Sequence, residues 1–196
     1  MQSSLQRLSS VLLLVLVLTT VCVPFVSWLF SALEFNVRSL LSDEGLRWLF
    51  KYGTESLFNY WVILFLMLLE TLGAYRYTLR WHHRHTSRPA LVFCALAFFL
   101  VCVCAMAVAA FWSHSPLLSV TGELFPSPLV HGLPCFLMAS ALLSFVLYGV
   151  LSHCISSLRD LHRFLTYGLS HYAVWLLLAM LLSFLLQCIS YCFFSI

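Results

Sequence analysis

Few residues in this chain have the type and spacing to do chemistry. The stretch Arg80–Arg88 reads "RWHHRHTSR" and sets His82, His83 and His85 close together. Clustered imidazoles bind zinc, nickel or copper. On a helix, however, adjacent His82 and His83 point about 100° apart, and no cysteine or carboxylate lies near them in sequence. We expect no metal site there. Four arginines in and beside the stretch, Arg76, Arg80, Arg84 and Arg88, fit a different role. Basic residues beside a bilayer attract anionic headgroups, worth about 1 kcal/mol each near the surface. The remaining histidines, His114, His131, His153, His162 and His171, show no ligand spacing.

The eight cysteines form no Cys-x-x-Cys pair. Most lie in apolar runs and read as small hydrophobes. Cys135 with Cys188 or Cys192 is the one pairing that an oxidising compartment would permit. Glu70 is the one acid inside an apolar run; a structural ion pair with Arg76 and a proton- or substrate-linked role are both open to it. Gln187 is the other polar residue in such a run, suited to a helix–helix hydrogen bond. No paired carboxylates, metal set or activated nucleophile emerge, so no enzyme, catalytic residue or cofactor is expected.

The elements that must position these groups follow from composition. Of 196 residues, 62% are hydrophobic and 9% charged. Soluble domains carry about 25% charged residues, so this chain has too little polar surface to fold in water. Apolar runs of about 20 residues cross the hydrocarbon as helices, because lipid offers backbone groups no partner. Five such spans are predicted, at about 11–33, 57–74, 90–112, 133–151 and 172–194, with Pro24 expected to kink the first. The first run reads as an uncleaved anchor, since its apolar character continues through "PFVSWLFSAL". Small residues paired at i and i+4, Ser140 with Ser144, Ala105 with Ala109 and Ala179 with Ser183, give faces for close helix approach.

Two amphipathic segments lie between the spans. In Ser39–Tyr52, "SLLSDEGLRWLFKY", Ser42 is a predicted N-cap, with Asp43 and Glu44 in the first turn. Leu46, Leu49 and Phe50 share a face, and Gly53 is placed to end a helix over about 43–52. In Ser156–Leu169, Ser157 is a predicted cap and Asp160 takes the capping-box position. Gly168 is placed to end a second short helix over about 157–167. The expected fold is an all-α polytopic membrane protein with about five transmembrane helices and two short interfacial helices, in one membrane domain over 1–196.

Lysine and arginine set orientation. Arg7, Arg76, Arg80, Arg84, Arg88, Arg159 and Arg163 fall on one side, against Arg38, Arg47 and Lys51 on the other. The N-terminus is therefore expected in the cytoplasm and the C-terminus outside. Arg159 and Arg163 join the loop arginines as headgroup anchors. The bilayer is the expected partner, with a homo-oligomer or a larger membrane protein as further candidates. No nucleotide-binding loop or nucleic-acid motif is visible.

The stretch "VRSLLSDEGLRWLF", Val37–Phe50, following a first span, resembles the N-terminal region of the p-aminobenzoyl-glutamate transporter (AbgT) family. "LLSVTGELFPSP", Leu117–Pro128, looks like a segment of shorter bacterial membrane proteins grouped with that family. The resemblance implies a transport-related protein of the bacterial inner membrane, a remnant or subunit of a transporter for p-aminobenzoyl-glutamate-type solutes. AbgT transporters are well over twice this length, and their re-entrant hairpins have no counterpart here, so no functional residue carries over. Arg47, Glu70 and Gln187 remain the substrate-binding candidates. The alternative is a non-transporting scaffold or accessory protein.

Overall fold

A computed structural model describes residues 2–35, 37–84, 89–111 and 128–193. Six helices account for nearly all of them: α1 (Gln2–Ala32), α2 (Asp43–Leu57), α3 (Tyr60–Arg84), α4 (Pro89–Phe111), α5 (Pro128–Leu151) and α6 (Leu158–Phe193). Five are long and apolar enough to cross a membrane, and α2 is the amphipathic exception. The protein is thus an all-α polytopic membrane protein. The apolar side chains of α1 and α4 are largely exposed, as lipid-facing surfaces are. Leu117–Phe125 and most of the segment around it, with His85 and Arg88, lie outside the described residues.

The chain divides into two compact units. One comprises Met1–Phe65 with Ala173–Ile196; the other is Leu66–Tyr172. In the first, the segment after α1 is the hub. α1 remains helical through Pro24 and ends on Glu34, whose φ of 60° is left-handed. Glu34 N–H donates to Ser31 O and Phe35 N–H to Phe30 O, the paired bonds that close a helix terminus. The chain then turns back. Leu40 N–H donates to the Ser27 hydroxyl at 3.1 Å, and Arg38 N–H to Cys192 O at 3.1 Å. Leu40 is buried against Cys188, Tyr191 and Cys192.

Ser42 caps α2 by accepting from Gly45 N–H at 3.2 Å. Gly45 is required for space: a Cβ there would lie 2.5 Å from both the Ser39 and Leu40 carbonyl oxygens. α2 does not stop at Gly53 as expected. It continues to Leu57, where Phe58 N–H donates to Thr54 O. Gly53 has open space around it and no steric reason to break the helix. Ser183 of α6 donates to Ser56 O at 2.8 Å, fixing the end of α2. Trp48 stacks on Tyr191 with ring centroids 4.6 Å apart. Leu46 and Phe50 are exposed and Leu49 is half-buried, so the face α2 turns to the protein is that of Trp48 and Ser56.

In the second unit α3 and α6 cross backbone to backbone. A Cβ on Gly73 would fall 2.1 Å from the Gly168 Cα, and one on Gly168 would fall 2.7 Å from Leu69 O. Gly168 therefore sits inside α6 and does not end a separate helix. The expected interfacial segment and the fifth span form one helix of 36 residues, about 54 Å long at 1.5 Å per residue. That exceeds the ~30 Å hydrocarbon thickness, so the charged start of α6 extends beyond the apolar layer. The start is capped as expected: Asp160 N–H donates to the Ser157 hydroxyl, and Ser157 N–H donates back to the Asp160 carboxylate at 3.1 Å. The Ser157 and Ser156 hydroxyls also donate to that carboxylate, each at 2.9 Å, and hold the Asp160 carboxyl below its ordinary value.

Phe164 is fully buried with Ala74 and Ile155. Tyr77 meets it edge-on at 5.3 Å. α5 ends on a left-handed His153 with φ 54°, and the short return brings the Ile155 side chain against Gly149. α4 packs along α5. Ser140 and Ser144 are buried there, with their hydroxyls donating to the Leu137 and Ser140 carbonyls of their own helix. All eight cysteines are free thiols in the structure.

Candidate functional site

The first unit holds a polar cleft beside α2. Its walls are Trp48, Tyr52, Glu55 and Ser56 of α2, Asn59 at the α2–α3 junction and Gln187 of α6, around about 270 Å³. The α2 positions recur at one-turn intervals, which places them on one helix face. Asn59 is held by capping α3, its side-chain oxygen accepting from Tyr60 N–H at 2.7 Å. The Trp48–Tyr191 stack fixes the indole wall. An apolar slot of about 370 Å³ shares Asn59 and Gln187 with the cleft and continues along Val62, Phe65, Leu182 and Leu186.

Lys51 and Arg47 are exposed on α2, outside the lining of the cleft. The Lys51 ammonium lies 4.9 Å from the centre of the Tyr52 ring. A side-chain hydrogen bond with Tyr52 raises its pKa above the ordinary lysine value. Glu55 contributes the one carboxylate of the lining, and Asn59 and Gln187 contribute amides that can both donate and accept.

The three substrate-binding candidates are not brought together. Gln187 lines the cleft, and Arg47 stands on the exposed side of α2. Glu70 belongs to the other unit, half-buried at the Gly73–Gly168 crossing. Glu70 has no hydrogen bond or ion pair among the described residues. The expected pairing with Arg76 is not made: the Arg76 guanidinium lies over the Tyr172 ring, 5.4 Å from its centre. Arg80 likewise lies over Tyr167, 5.6 Å from its centre, and donates to its hydroxyl. Arginine prefers these aromatic faces because its weakly hydrated plane stacks well. Arg159 and Arg163 are exposed in the first turns of α6.

Trp48, Tyr52, Glu55, Ser56 and Asn59 were not signalled as a site by their types alone. Their one-face spacing along a longer α2 was the available signal, hidden by ending that helix at Gly53. Among the described residues no group of three histidine, cysteine or acidic side chains could hold a metal ion. His82 instead places Nδ1 3.0 Å from the Tyr148 hydroxyl.

The fold is that of a polytopic helical membrane protein whose first unit carries a polar cleft beside α2. No family model, curated protein or solved structure matches the chain.

Proposed function

We propose that this protein is a small transport-related protein of the bacterial inner membrane, with its N-terminus in the cytoplasm and its C-terminus in the periplasm. In that orientation the α2 cleft opens to the periplasm and receives an aromatic amide solute of the p-aminobenzoyl-glutamate type. The observation that carries this reading is the cleft itself: aromatic walls, two amides and a carboxylate, on a helix that also carries the exposed Arg47 and Lys51. Trp48 and Tyr52 suit an aromatic ring. Asn59 and Gln187 suit an amide, Glu55 an arylamine N–H, and Arg47 and Lys51 the solute carboxylates. The resemblance of Val37–Phe50 to AbgT transporters leads to the same solute class, and Ser42, Gly45 and Trp48 of that stretch are the residues that seat α2.

Radiolabelled p-aminobenzoyl-glutamate should bind the purified protein in equilibrium dialysis. Gln187→Ala and Trp48→Ala should each weaken binding about tenfold or more, equivalent to at least ~1.4 kcal/mol. Equal binding by wild type and both variants would remove the cleft as the site. A second reading, a non-transporting accessory protein, is favoured by the exposed apolar faces of α1 and α4, which a larger membrane partner could cover. Mass spectrometry of material purified from native membranes in mild detergent separates the two: a stoichiometric transporter partner supports the accessory role.

A further inference from the structure

The second unit contains a separate cavity that the proposed solute site does not use. It encloses about 380 Å³ between α3, α4 and α5. Its wall is hydrocarbon and aromatic, with Leu79, Val92, Leu96, Phe99 and Phe145 prominent. The two aliphatic hydroxyls among its lining residues are taken up within their own helices. Thr78 donates to Tyr75 O at 2.8 Å and Ser144 to Ser140 O at 2.7 Å. A space with so little polar lining does not hold water and does not suit a polar solute. Leu79, Val92 and Leu96 are exposed, so the cavity opens sideways, where membrane-spanning helices meet lipid.

The lining falls on α3 from Tyr75 to His82, on α4 from Val92 to Phe99 and on α5 from Ala141 to Tyr148. Each stretch rises about 10 Å, less than one leaflet of a ~30 Å hydrocarbon core. Each lies towards the helix end at the α3–α4 and α5–α6 connections. One end of the cavity is polar, where His82 Nδ1 meets the buried Tyr148 hydroxyl at 3.0 Å. Arg80, two positions before His82, is exposed near this end with its guanidinium over the Tyr167 ring, and Arg76 lies about 9 Å along α3 from His82.

We propose that this cavity binds one acyl chain of an anionic phospholipid, with the phosphate at the His82–Tyr148 end. The chain fills the apolar space from the side. The headgroup lies in the positive field of the α3 arginines, and this field selects an anionic over a zwitterionic lipid.

The test is native mass spectrometry of delipidated, detergent-purified protein, titrated with phosphatidylglycerol and with phosphatidylcholine of identical chains. One phosphatidylglycerol per protein is expected, bound at least tenfold more tightly than phosphatidylcholine. Ala95→Phe, which fills the cavity, should reduce phosphatidylglycerol binding at least tenfold. Leu96→Trp, at the exposed mouth, should do the same without a demand on internal packing, and so covers the case in which Ala95→Phe fails to fold. His82→Gln should keep the chain site and lower the preference between the two lipids. Equal binding of both lipids, or unchanged phosphatidylglycerol binding in folded Leu96→Trp, would overturn the proposal. Neither result depends on solute binding at the α2 cleft.

Discussion

Replacing Gly73 or Gly168 by leucine should abolish recovery of folded protein from the membrane. The reason is local and geometric. A Cβ on Gly73 would stand 2.1 Å from the Gly168 Cα and 2.6 Å from its backbone nitrogen, while a Cβ on Gly168 would stand 2.7 Å from Leu69 O and 3.0 Å from the Glu70 Cα. All of these are backbone atoms, which cannot rotate away as a side-chain tip could. The helices would have to separate, and with them the Ala74–Ile155–Phe164 core that lies beside the crossing. Overpacking a core with room to adjust costs about 1–3 kcal/mol; this site has no such room and should cost at least that. In lipid, close packing of small residues is a principal source of helix association, so little else would compensate. Even Gly73→Ala should lower the detergent melting temperature markedly. Gly53→Ala and Gly132→Ala are the controls, because a Cβ at either meets nothing within 4 Å. Gly53→Ala should be neutral or stabilise α2, by about 0.5–1 kcal/mol at most. Equal yields for Gly73→Leu and Gly53→Ala would contradict the crossing.

Neutralising Arg76, Arg80, Arg84 and Arg88 together should weaken or invert insertion. These four are the majority of the seven basic residues on the expected cytoplasmic side, and removing them leaves three on each side. Positive residues close to span ends set orientation, whereas acids contribute little. Reporter fusions after residue 85 and within 156–169 should report cytoplasm in the wild type. Fusions near 45, near 122 and at the C-terminus should report the periplasm. In the quadruple variant these signals should become mixed or exchange. Replacing His82, His83 and His85 should leave the pattern unchanged, since neutral histidines add no fixed charge. A wild-type C-terminus in the cytoplasm would reverse the arrangement proposed here.

The five spanning helices were legible because their apolar runs match the hydrocarbon thickness, and the caps at Ser42 and Ser157 because capping is a short-range signal. The ends of the amphipathic segments were not. Gly53 and Gly168 both look like helix stops in sequence, yet one sits in open space and the other serves a helix crossing. What distinguishes them is the neighbour that each meets, Gly73 in the second case, which lies 95 positions from Gly168 in the chain. The Glu70–Arg76 pairing failed for a related reason: Arg76 finds the Tyr172 ring on a helix far along the sequence. Gln187 was visible as a polar residue in an apolar run, but its companions Trp48, Tyr52 and Glu55 became a site only when α2 was seen to continue to Leu57. The cavity in the second unit left no mark in sequence, because its lining reads like that of any spanning helix.

The most direct test of the transport-related reading is solute flux. Wild-type protein reconstituted in proteoliposomes is expected to take up p-aminobenzoyl-glutamate above empty liposomes, and Gln187→Ala and Trp48→Ala should lose most of that flux at normal reconstitution efficiency. Wild-type flux no greater than that of empty liposomes, from protein that is folded and correctly inserted, would contradict autonomous transport by this chain.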